Sequence, residues 1–540
     1  FRGTFEGDQS IGSPLNTVIW ALPYEKVYND DGTYAGSVQF PFWLNPVEEL
    51  IVNADNSWQL KSTGNVFVEY KIPGIKNLTY RLNAGGDYSQ TEVFGITKNG
   101  TQSAAQNAAF GSAFAGEGAL GRSFDRRFRA TITNSLTHKI GFGANDDHQL
   151  TTSLYTEFIR RRGRDFNFTG YGLLLPFDNE AGLVAGTAAN GYIPTVGGGF
   201  PENSSLLSYF GTADYSFRNK YFLSLSGRTD GSSRLSPANR WTQYGSVGAG
   251  WVISDEDFFK VNAINYLKLR ASFGAVGNQN GIGEFPYVQQ YGRGTYGGQG
   301  TLSINRLGNA ELTWEKRRTA NVGVEMEFFK SRVKAAVDYY NSLTTGLYFQ
   351  PTVPATSGGG GTFLANNGSM ENQGIEVNLS LKIIDAKDFR WTFDANYAFN
   401  KNTIKSLPDG QTFQLYKSFQ ALQVGKPLNS FYLVQYAGVN PDNGNSQYLK
   451  ADGKTLTEDY DANDLAVLGT SDAPHNGGFT NTFNFKGLEL SAFFVYSAGN
   501  YVYNNARYNV EYYAYTTSGF SRNALNAWTT PGQITDFPRI

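Results

Sequence analysis

The stretch GIEVNLSLKI (374–383) alternates strictly between apolar and polar side chains and decides the fold class of the sequence. Successive side chains of a β-strand point to opposite faces, so this segment has one apolar and one polar face. WTFDANYAFN (391–400) repeats the pattern after a short polar segment, 385–388. The two segments together predict an antiparallel hairpin of long strands.

The same alternation recurs along most of the chain, in about fifteen segments. Clear examples are VFVEYKI (66–72), YFLSLSGR (221–228), LKLRASFG (267–274) and TANVGVEMEFF (319–329). About ten residues of alternation exceeds the usual strand of a soluble protein and matches the 9–11 residues that a tilted strand needs to cross a bilayer. Aromatic residues near the strand ends fit an interfacial girdle: Tyr221, Phe328, Phe329, Tyr339, Tyr340 and Phe399.

The connections between these segments are of two kinds. Short polar turns are predicted at 218–220, 330–332, 385–388 and 486–487. Long loops rich in Gly, Asn and Tyr are predicted at 91–121, 163–204, 277–311, 347–370, 405–428 and 442–473. Short turns on one side and long loops on the other are typical of outer-membrane barrels, so we predict an all-β, transmembrane antiparallel β-barrel. The alternative is a soluble β-sandwich, β-helix or propeller, and the lack of a fixed-period repeat disfavours the last two.

Composition excludes several kinds of chemistry. The 540 residues contain no Cys, which rules out disulfides, thiolate metal sites and cysteine nucleophiles. The three histidines, at 138, 148 and 475, lack metal-ligand spacing, and a net charge of −2 gives no reason to expect nucleic acid. The glycine-rich segments 274–283 and 358–361 match neither a dinucleotide site nor a P-loop. We therefore expect no cofactor, no metal site and no enzymatic activity.

Six motifs in order resemble the SusC/RagA-like branch of TonB-dependent transporters. The most specific is RTDGSSRL within 208–259, where Leu235 stands in place of the usual Phe. The others lie in 267–287, 312–329, 366–379, 424–454 and 469–504. The resemblance implies a 22-stranded outer-membrane barrel of which residues 1–540 form a part with long extracellular loops. The family's N-terminal plug domain and TonB box are not found in this sequence, and we expect the last strands also to be missing.

The resemblance also implies a function and partners. It implies TonB-dependent import of bulky nutrients, either oligosaccharides or peptides, together with a SusD-like surface lipoprotein that acts as a lid. TonB would act through the missing N-terminal region, and outer-membrane lipid and lipopolysaccharide would surround the barrel. The alternatives are a non-transporting structural or secretion-associated outer-membrane barrel, and a surface-exposed soluble β enzyme or lectin.

Candidate functional residues fall into three groups. The motif residues Arg228, Asp230, Gly231, Ser232, Ser233 and Arg234 are interpreted as structural, with both arginines beside Asp230 at the barrel wall or rim. The loop 281–300 carries candidate substrate-binding residues whose rings suit sugars or peptides, Tyr287, Tyr291, Arg293 and Tyr296, although they also suit loop stabilisation. RRRGRD (160–165), expected at a strand end, suits either lipopolysaccharide or a charged substrate.

Overall fold

A computed structural model describes residues 18, 22, 24–36, 44–52, 54–104, 117–187, 191–199, 202–297, 299–350, 363–417, 419–511 and 520–539. The side chains of a few residues within these ranges are not described, among them Arg293 and Tyr296. All statements below concern the described part of the chain.

Fourteen antiparallel strands follow one another across a single sheet, each hydrogen-bonded to the next in the chain. They are β1 (Ala54–Lys71), β2 (Leu78–Thr97), β3 (Ala119–Phe142), β4 (His148–Tyr171), β5 (Asn203–Phe217), β6 (Tyr221–Ser232), β7 (Trp241–Val252), β8 (Ile264–Asn278), β9 (Glu315–Phe328), β10 (Val333–Thr345), β11 (Ser369–Asp385), β12 (Phe389–Ser406), β13 (His475–Phe485) and β14 (Leu488–Ala498). A short strand, Thr195–Gly197, adds to the outer part of β4. Within the described residues β1 and β14 do not pair with each other, and the number of 22 strands stays a prediction.

The register confirms the two faces expected from the alternation. Across β11 and β12, Val377 lies opposite Tyr397, whereas Asn378 lies opposite Asn396 on the other side of the sheet. We call the side that carries Val377 the apolar face and the side that carries Asn378 the polar face. Large side chains on the apolar face are widely exposed, as expected for a surface that contacts lipid: Leu154, Leu269, Val322 and Tyr339.

The turns confirm the predicted asymmetry. The four short turns predicted from the sequence all join neighbouring strands, and the turns at 218–220 and 329–332 contain residues with positive φ, as tight hairpins require. Two predicted loops are too long, because β2 continues to Thr97 and β4 to Tyr171. The expectation that 160–165 marks a strand end is therefore wrong: unbroken pairing with β3 continues through these residues.

The long loops contain small sheets of their own. The hairpin strands are Gln290–Tyr296 with Gln299–Arg306 and Tyr348–Phe349 with Ala365–Asn366. The β12–β13 connection holds a four-stranded sheet (Phe413–Lys417, Gln420–Gln423, Ser430–Leu433, Ala466–Thr470) and a three-stranded sheet (Gln435–Val439, Ser446–Leu449, Leu456–Thr457).

Helices are few and short in the described ranges. The α-helices are α1 (Pro46–Ile51) and α2 (Asn505–Glu511). Single 3-10 turns lie at Ala144–Asp146, Glu180–Gly182, Ile253–Asp255, Pro408–Gly410, Ala462–Asp464 and Arg522–Asn526. None of the described helices has the length and apolar character needed to cross a membrane.

Buried apolar clusters lie where the loops meet the ends of the strands. The larger cluster joins three connections (β6–β7, β8–β9 and β10–β11) through Leu235, Ile282, Leu312, Trp314 and Leu364. A smaller one consists of Ile404, Leu407 and Leu422. The loops thus pack on one another and form an ordered layer over one end of the sheet.

Candidate functional site

An ion-pair network on the polar face is centred on Arg228 of β6. Its Nε donates to Asp230 Oδ1 at 2.9 Å, and its Nη2 lies 3.1 Å from Glu157 Oε1 on β4. Nη2 also donates to the Ser208 hydroxyl at 2.9 Å, and the guanidinium stacks 4.5 Å over the Phe210 ring. Asp230 is only 3% exposed, so this arginine binds three adjacent strands together with buried, charge-assisted hydrogen bonds.

Arg234 does not pair with Asp230, so that part of the expected arrangement is wrong. Its Nη2 contacts Glu284 Oε1 at 2.8 Å and Glu202 Oε1 at 3.5 Å. Glu284 belongs to the β8–β9 loop and Glu202 to the end of the β4–β5 loop. The reason is geometric: β6 ends at Ser232, and Arg234 lies beyond it, against two loops that are far away in sequence.

The other motif residues also have structural contacts. A Cβ on Gly231 would lie 2.8 Å from the Trp241 ring, so a larger residue would clash there. The Ser232 hydroxyl donates to Gln279 and accepts from the Arg234 amide. The amide of Ser205 donates to the Ser233 hydroxyl at 2.8 Å. The motif thus joins the upper end of β6 to the loop layer.

A second network lies further along the sheet. Arg270 of β8 lies 2.6 Å from Asp338 of β10 and 3.4 Å from Glu325 of β9. Gly323 of β9 lies between them in the register, and a Cβ there would overlap the Asp338 carboxylate. The absent side chain lets the arginine reach across one strand, which explains this glycine.

Beside this network the polar face forms a recess of about 460 Å³. Its polar lining comes from six strands, β8 to β13, and includes Tyr266, Glu325, Glu327, Lys334, Asn378, Ser380, Asp394, Asn396 and Thr480. The mixture of carboxylates, one amine, amides and hydroxyls offers donors and acceptors to a polar solute. These residues belong to the polar strand faces that the alternation in the sequence predicts.

The four candidate binding residues in the β8–β9 loop are not shown to converge. Tyr287 is partly buried, with its ring centroid 6.4 Å from that of Phe285. Tyr291 is 59% exposed, and its hydroxyl accepts a hydrogen bond from Gln289 at 3.1 Å. The side chains of Arg293 and Tyr296 lie outside the described residues. Substrate binding by this group stays a prediction.

The β12–β13 connection is stabilised by side-chain hydrogen bonds within its turns. Asp452 accepts hydrogen bonds from the Thr455 hydroxyl and from two amides, and these bonds lower the pKa of its carboxyl to about 2. Hydrogen bonds from Asn445, Asn440 and Asn443 likewise lower the pKa of Glu458. Within the described residues no cluster of His, Cys, Asp and Glu has the composition of a metal site.

Sequence reasoning correctly placed Asp230 beside Arg228 but missed the distant partners of the two central arginines. Glu157 and Asp338 are each about 70 positions from the arginine that they bind. In the sequence, each of these carboxylates appears only as an isolated charge on the polar face of a predicted strand, and nothing nearby indicates its partner. Strand order and register are needed to bring such charges together.

Comparison with known proteins extends over most of the chain. The family model described as "TonB dependent receptor-like, beta-barrel" matches residues 12–480. The TonB-dependent receptor SusC of Bacteroides thetaiotaomicron is 28% identical over 523 residues, which cover 92% of this chain and 49% of that protein. The TonB-dependent receptor P39 of Formosa agariphila is 29% identical over 385 residues, which cover 62% of this chain and 37% of that protein.

Among solved structures, one titled as the RagAB peptide transporter aligns with a TM-score of 0.81 at 26% identity, covering 96% of this chain and 57% of that one. The chain spans about half the length, or less, of the two curated receptors. The family match and these likenesses agree with the apolar face, the strand order and the turn asymmetry. The chain therefore belongs to the TonB-dependent receptor-like β-barrel family, and its strands form SusC/RagA-like transmembrane barrel wall in the bacterial outer membrane.

Proposed function

We propose that this chain forms the wall and outer loops of a TonB-dependent importer of bulky nutrients, oligosaccharides or peptides, which works with a SusD-like lipoprotein lid. The observation that carries the proposal is the polar face, on which hydroxyls, amides and ion-paired charges extend across consecutive strands. A path lined in this way solvates a large polar solute. The likeness to SusC and to a structure titled as a peptide transporter supports the same function.

The ordered loop layer supports the proposed place of substrate capture. The cluster around Trp314 holds three connections in fixed positions at the end of the sheet where the long loops lie. Binding residues are commonly carried on loops that a rigid scaffold positions. Substrate would bind between this layer and the lid, and TonB would supply the energy that opens the path along the polar face.

The test is uptake by the full-length receptor in its own cells. A strain lacking the gene is given panels of glycans and of peptides, and we expect it to lose uptake of one class only. Unchanged uptake of every substrate would favour the non-transporting alternative and contradict the proposal. A SusD-like partner should co-purify with the receptor, and its absence would contradict the proposed lid.

A matched pair of variants tests whether the polar face lines the path. Asn378→Trp fills part of the recess, whereas Val377→Trp places the same ring on the neighbouring residue of the apolar face. We expect Asn378→Trp to lower uptake at an unchanged amount of folded receptor, because the ring obstructs the lumen. Val377→Trp should leave uptake near the wild-type level, since lipid accommodates aromatic side chains.

A further inference from the structure

The arginine-rich segments of β3 and β4 divide their charges between the two faces of the sheet. In the register, Arg126 lies opposite Arg164, Phe128 opposite Arg162, and Ala130 opposite Arg160. These positions share the side of Ile132, Leu154 and Phe158, which is the apolar face, as the same register shows: Ile132↔Phe158 and Leu136↔Leu154. Five arginines of these two strands therefore lie on the outward side of the barrel wall, and one of them, Arg122, is paired with Glu92 of β2. The other four form a group: Arg126, Arg160, Arg162 and Arg164. We call them the outer arginine patch.

Of the three arginines that point to the polar face of the same strands, Arg127 and Arg129 have carboxylate partners, whereas Arg161 forms no ion pair with a described residue. Arg127 lies 2.9 Å from Asp125, and Arg129 lies 3.6 Å from Asp87 of β2. No arginine of the outer patch forms an ion pair or a side-chain hydrogen bond with another described residue. Glu92, a carboxylate on the same side of β2, is already bound by Arg122. The outer patch thus lacks an internal counter-charge.

Without a bound anion, the outer arginine patch lowers the stability of the folded protein, and an external anion would offset the charge repulsion. Arg126 and Arg164 lie directly opposite one another, and like charges in such cross-strand pairs are destabilising. The Nε atom of Arg160 is buried without a hydrogen-bond partner, which also costs free energy. Arg126, Arg162 and Arg164 are exposed and present their guanidinium groups outward. Guanidinium groups bind phosphate oxygens with two parallel hydrogen bonds, so a phosphorylated ligand satisfies the exposed guanidinium groups of Arg126, Arg162 and Arg164.

The height of the patch identifies the source of the phosphate. On this face Phe128 is an exposed ring opposite Arg162. Below it Ile132, Leu136, Ile140 and Phe142, with the polar Asn134 and His138 between them, extend over about 25 Å along the membrane normal at about 3.3 Å per residue and a tilt of about 40°. This equals the thickness of the apolar band of an outer-membrane barrel. Ala130, opposite Arg160, lies about 5 Å above that band, and Arg126 lies about 15 Å above it.

The direction of the chain identifies the leaflet. β3 follows the long 98–118 connection, and β4 precedes another long loop, so the arginine-rich ends lie on the long-loop, extracellular side. We infer that the outer arginine patch binds the phosphate groups of lipopolysaccharide in the outer leaflet. The patch faces the lipid rather than the lumen, which separates it from the proposed substrate path. The inference requires only that the chain lies in the outer membrane.

The test measures the lipopolysaccharide that remains bound to the full-length receptor purified from its own outer membrane in mild detergent. Mass spectrometry of the intact complexes counts the glycolipids per receptor. The variant Arg126→Gln/Arg162→Gln/Arg164→Gln removes three charges from the outer face. The matched control Arg127→Gln/Arg129→Gln/Arg161→Gln removes three charges from the polar face of the same strands. Heat-modifiable migration in gels confirms that both variants are folded.

We expect the outer variant to retain about tenfold less lipopolysaccharide than the wild type, and the control to retain an unchanged amount. Washing with inorganic phosphate should leave the wild-type complex intact, because the acyl chains of the glycolipid are held by the adjacent apolar band. Equal retention by the outer variant and the wild type would overturn the inference. So would an equal loss in the control, or a loss of uptake of a charged substrate by an outer variant that keeps its lipid.

Discussion

The two faces of β8 predict opposite responses to the same substitution. Leu269 is 41% exposed on the apolar face, between Trp251 of β7 and Val324 of β9. It lies five residues from Ile264, the start of β8, which corresponds to a height of about 12 Å at a 45° tilt. This is the middle of an apolar band about 25 Å tall, where an arginine side chain costs about 2–4 kcal/mol.

Leu269→Arg should therefore lower the folding equilibrium constant roughly 30- to 700-fold. The control is Ser272→Arg, three residues away on the polar face, where Gly248 and Asn321 are its neighbours across the sheet. We expect little change there, because the polar face is wet. The assay is urea unfolding of the full-length receptor in lipid vesicles, followed by heat-modifiable migration. Equal unfolding midpoints for the two variants would refute the assignment of the faces.

Three further predictions concern the networks and loops. Asp230→Ala should lower the free energy of unfolding by about 1.5–3 kcal/mol, since it removes a buried partner of Arg228; urea unfolding measures this. Trp314→Ala should cost about 3–5 kcal/mol because this side chain fills the loop cluster, and limited proteolysis should then cut the long loops first. Hydrogen bonds lower the pKa of Asp452 in the folded loop, so they stabilise it fully above about pH 4, and this stabilisation is lost as the pH falls towards 2. Hydrogen exchange measured at pH 5, 3 and 2 should show that the loop of the wild type opens as the pH falls. In Asp452→Asn the opening of the loop should not change with pH over this range.

The strand faces and short turns were predictable because each depends on nearby residues. In GIEVNLSLKI every second side chain is apolar, so the sequence alone indicates which side faces lipid. The turn at 218–220 combines short length with polar residues that tolerate positive φ. Local patterns of this kind do not depend on which strand becomes the neighbour.

The full strand lengths and the distant ion-pair partners were not predictable, because they depend on pairing between strands and not on the local pattern of residues. In RRRGRD (160–165) both faces carry charge, so the alternation vanishes although pairing with β3 continues. Arg234 lies near Asp230 in sequence but binds Glu284, 50 positions away, because the chain leaves the strand between them. The convergence of candidate loop residues likewise depends on the fold of the whole β8–β9 connection.

The order of strands in the sheet has a consequence for how the wall assembles. Every strand pairs with its neighbours in the chain, and six of the thirteen connections between them are turns of six residues or fewer. The β12–β13 seam is different, because about 70 residues separate its two strands, and closing a loop of that size instead of a three-residue turn costs about 2.8 kcal/mol more in chain entropy. The small sheets inside this connection shorten its effective length if they fold first. The pairing of β12 with β13 should then be the slowest step in forming the wall. Its rate would be controlled by the folding of the connection outside the membrane and not by the membrane strands.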